Sequence, residues 1–163
     1  MKKLCSVLVF FVLLSSSYLM ADFVNVPAAA FQSVEDSGIR VSSRHAYIAL
    51  GSTEQTLYAP VYLPDGAIIK NIRVQYMDND AANDMTVELV QANTYLGTFS
   101  ILLTETSSGA SASVQSMVDS DCSPNAPSKR LVINSVLTWC IRVAVSAAGP
   151  GDTLRIYGVV IEY

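Results

Sequence analysis

Histidine is almost absent from this 163-residue sequence, which contains one copy, His45. A serine triad needs a histidine base beside a nucleophilic serine. His45 stands in the segment SSRHAYIAL, and no serine in the chain has the flanking glycines of a nucleophile elbow. No aspartate or glutamate stands in the kind of apolar pattern that an acid for sugar hydrolysis requires. We therefore predict no catalytic residue and no cofactor, and a protein that is not an enzyme.

Basic residues are also scarce, with ten lysines and arginines against fourteen acids and a formal net charge of −4. The basic residues form no cluster larger than Lys129-Arg130. Phosphate backbones repel a chain of this composition. Nucleic acid is therefore excluded as an expected partner.

Long apolar runs are missing except near the amino terminus. Two lysines precede the apolar stretch Leu4–Leu14, and the sequence LMA at 19–21 has the form of a cleavage site. The stretch is shorter than the ~20 residues that span a bilayer. We interpret 1–21 as a signal peptide, which predicts export to the periplasm, the cell surface or the medium and no membrane span in the mature chain. Loss of the two lysines makes the mature chain two charge units more acidic.

Cysteine is rare, and only Cys122 and Cys140 lie beyond the predicted signal peptide. A pair of cysteines in an exported protein is most simply a disulfide. A loop of this length stabilises a fold by roughly 3 kcal/mol in the chain-entropy model. The alternatives are free thiols or a metal pair, and no neighbouring third ligand supports the metal.

The remaining chain has the length of a single domain. Residues 22–38 contain Pro27, three alanines and a polar stretch, which leaves too few residues for a helix. We interpret this segment as an N-terminal arm that is irregular or pairs with a sheet edge. Residues 39–163 form the predicted main domain.

Alternating apolar and polar residues dominate that domain. In IKNIRVQY the residues Ile72, Val74 and Tyr76 share one face, and in TWCIRVAV Trp139 and the apolar residues at 141, 143 and 145 point inward. Turn residues separate such runs at short intervals, as in Pro64-Asp65-Gly66. This pattern indicates an all-β fold, and we predict an antiparallel β-sandwich, jelly-roll-like or immunoglobulin-like, of roughly eight to ten strands. The final run, LRIYGVVIEY, is apolar on both of its predicted faces, with Tyr157, Val159, Ile161 and Tyr163 on one face and Ile156, Gly158 and Val160 on the other.

An acidic cluster contains Asp78, Asp80 and Asp84. Aspartate and asparagine are typical of a hairpin loop, because they bond their own backbone. The alternative is a calcium site, since calcium prefers several carboxylate oxygens. The spacing lacks the central glycine and terminal glutamate of the twelve-residue calcium loop, so an ordinary loop is favoured and no metal is predicted.

Tyrosines are the remaining candidates for a binding surface. A cluster of exposed tyrosines would mark a contact surface for protein or carbohydrate. The sequence leaves six of them undecided between surface and strand edge: Tyr47, Tyr58, Tyr62, Tyr95, Tyr157 and Tyr163.

Three stretches, VNVPAAAF, YAPVYLPDGAIIKNIRVQYMDND and LRIYGVVIEY, together resemble a group of uncharacterised exported bacterial proteins. That group is defined by PAAAF, APVxLPxGA and GVxIxY motifs. The resemblance implies a secreted β-sandwich and no activity. The pair of cysteines departs from the pattern of that group.

Our leading hypothesis is an exported, non-enzymatic β-sandwich with a structural, binding or assembly role. A carbohydrate-binding module and a small secreted hydrolase are the alternatives. The arm Phe23–Phe31 and the last strand both carry apolar surface that must be buried. We therefore predict either a homo-oligomer or an arm that folds back onto its own sandwich.

Overall fold

The computed structural model describes residues 22–33, 38–49, 52, 55–119, 131–146 and 150–163. These residues form two antiparallel β-sheets. The predicted β-sandwich is confirmed, with eleven strands in the described parts of the chain. The described residues contain no helix with the length and apolarity that a membrane span requires. The predicted signal peptide lies outside the described residues.

Sheet A has the strand order β3-β4-β11-β6-β9, and β1 also pairs with β11. Its strands are β1 (Phe23–Pro27), β3 (Ile39–Val41), β4 (Ala46–Ile48), β6 (Asn71–Asp78), β9 (Ser111–Asp119) and β11 (Leu154–Glu162). Sheet B has the order β2-β5-β10-β7-β8. Its strands are β2 (Gln32–Ser33), β5 (Thr56–Val61), β7 (Met85–Asn93), β8 (Thr98–Thr106) and β10 (Leu137–Val145).

The core lies between the sheets and follows the predicted alternation. Ile72, Val74 and Tyr76 of β6 are buried, and so are Trp139 and Ile141 of β10. The opposite face of β6 is exposed to solvent as predicted, as Arg73 shows. Burial of one apolar face per strand is the term that holds the two layers together.

The N-terminal arm supplies one strand to each sheet. Strand β1 pairs with β11, a 3-10 turn at Ala28–Ala30 follows, and β2 pairs with β5. Phe31, between the turn and β2, is 1% exposed and belongs to the core. The arm therefore folds back onto its own sandwich and covers one edge of β11. Homo-oligomerisation stays a prediction.

Strand β11 departs from the predicted alternation. A bulge lies between Ile156 and Gly158, so Ile156, Val159 and Ile161 are all buried while Tyr157 is half-exposed. The prediction that Tyr157 shares a face with Val159 and Ile161 is therefore wrong. The extra residue of the bulge reverses the faces after position 157.

Candidate functional site

The outer face of sheet B carries two tyrosines of the β5 segment. Leu57, Ala59 and Val61 are buried, whereas Tyr58 is 36% exposed. Tyr62 follows the strand and is 83% exposed. Two side chains four positions apart on a strand share a face and lie roughly 13 Å apart along its direction. The β5 segment therefore presents two ring systems on one side of the sandwich.

An ion pair lies beside the first of these tyrosines. The strand register places Tyr58, Arg142 and Glu88 next to one another across β5, β10 and β7. The Arg142 guanidinium Nε donates to Glu88 Oε2, and Tyr58 lies beside Arg142 on the neighbouring strand. These contacts, with the Glu88 hydrogen bond as the largest cause, raise the pKa of Arg142 above its ordinary value. Glu88 is only 7% exposed although it belongs to the outer face.

A groove of about 460 Å³ lies at the other end, beside Tyr62. Pro60 and Thr138 extend it onto the sheet, and Asn134 forms part of its wall. Asn134 is fixed because its side-chain amide donates to the Leu63 carbonyl at 2.8 Å and its N–H donates to Asp65 at 2.8 Å. Asp65 of the predicted Pro64-Asp65-Gly66 turn therefore helps to hold the Asn134 wall of the groove in place.

We call this surface the tyrosine face, defined as Tyr58, Pro60, Tyr62, Glu88, Thr138 and Arg142. Tyrosine rings offer flat apolar surface with a polar tip. The carboxylate of Glu88 accepts hydrogen bonds, while Arg142 and Thr138 donate them. Such a surface can hold an extended ligand that alternates apolar ring faces with hydroxyl groups.

The other undecided tyrosines lie elsewhere. Tyr47 and Tyr157 flank His45 on sheet A, with ring centroids 5.9 Å and 5.7 Å from the imidazole. Tyr95 is 77% exposed in the loop between β7 and β8. Tyr163 is half-buried and pairs through its backbone with the start of the arm. Among the six, Tyr58 and Tyr62 are the pair that is exposed on one strand segment.

The acidic cluster between β6 and β7 is internally bonded. Asp78 is fully buried and accepts hydrogen bonds from the Ser107 hydroxyl at 2.6 Å and from the Asp80 N–H at 3.0 Å. Asp80 accepts from the N–H groups of Ala82 and Asn83, and these bonds, the Ala82 bond foremost, lower its pKa. The described residues contain no group of three acidic, histidine or cysteine side chains that could hold a metal ion.

Calcium should therefore have no effect on stability. Protein donors already occupy oxygens of Asp78 and Asp80 that a calcium ion would need. Addition of excess chelator to protein as purified should leave the melting temperature within about 2 °C, since a weakly occupied site adds well under ~1 kcal/mol. A larger drop, restored by calcium, would assign a calcium site to this loop.

Cys140 is half-buried on β10 and carries a free thiol in the structure. Burial raises the pKa of this thiol. Its predicted partner, Cys122, lies outside the described residues. The disulfide therefore stays a prediction.

No protein-family model and no curated protein matches the sequence. Among solved structures, the chain is similar to a two-module part, CBM22-1 and GH10, of an endo-1,4-beta-D-xylanase from Clostridium thermocellum, complexed with xylohexaose. That likeness covers 88% of this chain and 28% of the xylanase chain, at 10% identity and a TM-score of 0.51. A second structure, truncated AlyQ with CBM32 and alginate lyase domains, matches over 88% of this chain and 34% of its own, at 12% identity and a TM-score of 0.43.

The likeness to the xylanase structure shows the β-sandwich fold alone, because the sequence identity is low. This chain spans about a third or less of the length of the two structures. The resemblance to exported bacterial proteins with PAAAF-like motifs stays a prediction.

Proposed function

We propose that the protein is an exported, non-enzymatic carbohydrate-binding module that holds a polysaccharide chain along the tyrosine face. One observation carries this proposal: Tyr58 and Tyr62 lie exposed on the same side of one strand segment, beside the Arg142–Glu88 pair. The separation of roughly 13 Å between the two tyrosines along the strand suits a ligand that is longer than a single sugar.

The chemistry of sugars fits this surface. The C–H faces of a sugar ring pack on tyrosine rings, which bury apolar area at a small cost in side-chain entropy. Sugar hydroxyls then reach Arg142, the more exposed member of the ion pair, as a donor. Because Arg142 is already bonded to Glu88, its guanidinium is held in place before the ligand arrives.

The xylanase structure supports the choice of ligand class. It contains a carbohydrate-binding module and a bound xylohexaose, and a part that makes up 28% of its chain resembles this chain in fold. The small number of carboxylates on the tyrosine face favours binding over hydrolysis. Glycoside hydrolysis uses two carboxyl groups on either side of the scissile bond, whereas Glu88 is the one carboxylate among the residues that define the face.

Replacing Tyr62 with alanine should weaken polysaccharide binding about tenfold, because one aromatic contact contributes roughly 1 to 1.5 kcal/mol. Tyr58→Ala should act similarly. Affinity gel electrophoresis through soluble xylan, β-glucan and galactomannan measures the loss as reduced retardation. Tyr95→Ala is the matched control, since Tyr95 is an exposed tyrosine that neither belongs to the tyrosine face nor lines its groove.

The proposal fails if none of these polysaccharides retards the unmodified protein. It also fails if Tyr95→Ala weakens binding as much as Tyr62→Ala does.

A further inference from the structure

A second cavity, of about 480 Å³, opens on the other side of the molecule. Arg40 of β3 and Tyr47 of β4 form one wall, and Asp152 and Thr153 form the opposite one. Its volume is within the usual range for sites of small ligands. The cavity shares no lining residue with the tyrosine face.

Hydrogen bonds fix the wall at Thr153. The Thr153 hydroxyl donates to the Pro150 carbonyl at 3.0 Å, and its carbonyl accepts from the Asn79 N–H at 2.8 Å. Asp80 lies 3.4 Å from the same hydroxyl. The acidic loop after β6 therefore holds this wall in position.

The wall at Tyr47 is fixed by hairpin geometry and by aromatic packing. Arg40 and Tyr47 are direct partners in the β3–β4 ladder. The bulge in β11 turns Tyr157 out of the core, where His45 packs between Tyr157 and Tyr47. Burial, followed by the charge of Arg155, lowers the pKa of His45, which favours the uncharged form of the imidazole beside Tyr47.

The charges of the cavity favour an anion. Asp152 is paired with Arg155 at 2.5 Å, which neutralises it. Arg40 is exposed and makes no ion pair or hydrogen bond through its side chain within the described residues. Arg40 therefore presents a guanidinium that no described residue pairs, beside a tyrosine ring in a protein that is acidic as a whole. Guanidinium groups match carboxylates through two parallel hydrogen bonds.

We propose that this cavity binds an acidic sugar, a uronic acid residue. Its carboxylate lies on the guanidinium of Arg40, and the C–H face of its ring packs on Tyr47. Its hydroxyl groups donate to Asp152 Oδ1, which accepts no hydrogen bond from the described residues, and bond the Thr153 hydroxyl. This site is separate from the proposed polysaccharide site on sheet B. It gives the protein a second specificity, for acidic sugars.

A calorimetric titration with a galacturonic acid trisaccharide tests this proposal. The unmodified protein should bind the trisaccharide, and should bind its carboxyl-reduced neutral counterpart and acetate far more weakly. Arg40→Ala should reduce the affinity for the acidic trisaccharide roughly ten- to a hundredfold, as expected for loss of a charge-assisted hydrogen bond. Arg40→Lys keeps the charge but loses the fork of donors, and should fall between the two.

Arg73→Ala is the matched control, because Arg73 is an exposed arginine of sheet A that does not line the cavity. Its affinity should equal that of the unmodified protein. Equal losses in Arg40→Ala and Arg73→Ala, equal binding of acetate or of the neutral trisaccharide, or no binding of the acidic trisaccharide would each overturn the proposal. Tyr62→Ala separates the two sites, since it should weaken neutral polysaccharides and leave the acidic trisaccharide unaffected.

Discussion

Replacing Phe31 with alanine should lower the free energy of unfolding by about 3 to 5 kcal/mol, the usual cost of removing a buried phenylalanine. Phe31 is 1% exposed and lies where the arm passes from sheet A to sheet B. Its loss leaves a cavity between the sheets and also weakens the attachment of β1 and β2. Urea denaturation followed by tryptophan fluorescence measures the change, because Trp139 is in the same core.

Phe23→Ala is the matched control within the same arm. Phe23 is 56% exposed at the start of β1, so its loss should change the free energy of unfolding by no more than about 0.5 kcal/mol. Similar, small effects of both substitutions would mean that the arm does not pack on its own sandwich. The arm would then be available for exchange between copies, as the predicted homo-oligomer requires.

Replacing Asp78 with alanine should cost about 3 kcal/mol of stability. The buried carboxylate accepts from the Ser107 hydroxyl and the Asp80 N–H, and both donors lose their partner. Ser107 in turn accepts from the Met85 N–H at 2.8 Å and donates its own N–H to the Met85 carbonyl. The substitution therefore loosens the connection between the β6–β7 loop and the end of β8.

Asp84→Ala is the control for this substitution, because Asp84 belongs to the same acidic cluster and is exposed. It should alter stability by no more than about 0.5 kcal/mol. Ser107→Ala combined with Asp78→Ala should cost less than the sum of the single substitutions, since the two side chains bond each other. Additive losses, or equal losses for Asp78→Ala and Asp84→Ala, would contradict this role of Asp78.

The strands with one wet face could be predicted from the sequence. In β6 and β10 the apolar residues recur at every second position, and the structure buries them as predicted. Strand β11 could not be predicted this way, because its bulge inserts one residue into a run that is apolar on both faces. Gly158 is the residue in the sequence that indicates an irregularity in β11. A Cβ at this position would lie 3.0 Å from the Val26 carbonyl oxygen of β1. Glycine inside a strand marks such a close approach.

The tyrosine face could be predicted only in part. Tyr58 and Tyr62 are four positions apart, which places them on one side of a strand once β5 is assigned. Their ionic neighbours were not predictable, because Arg142 and Glu88 are 54 positions apart in the sequence and meet only through the order of strands in sheet B. The cavity beside Arg40 likewise depends on a hairpin, a bulge and a turn that are distant in sequence.

The central claim is that the tyrosine face holds a polysaccharide, and an NMR titration of isotope-labelled protein with neutral oligosaccharides tests it most directly. Hexasaccharides from xylan, β-glucan and galactomannan serve as ligands. We expect at least one of them to shift the signals of Tyr58, Tyr62 and Arg142 in a saturable manner, with Tyr47 and Tyr95 unchanged. The account is contradicted if no oligosaccharide shifts these signals, or if the shifts are confined to residues of sheet A.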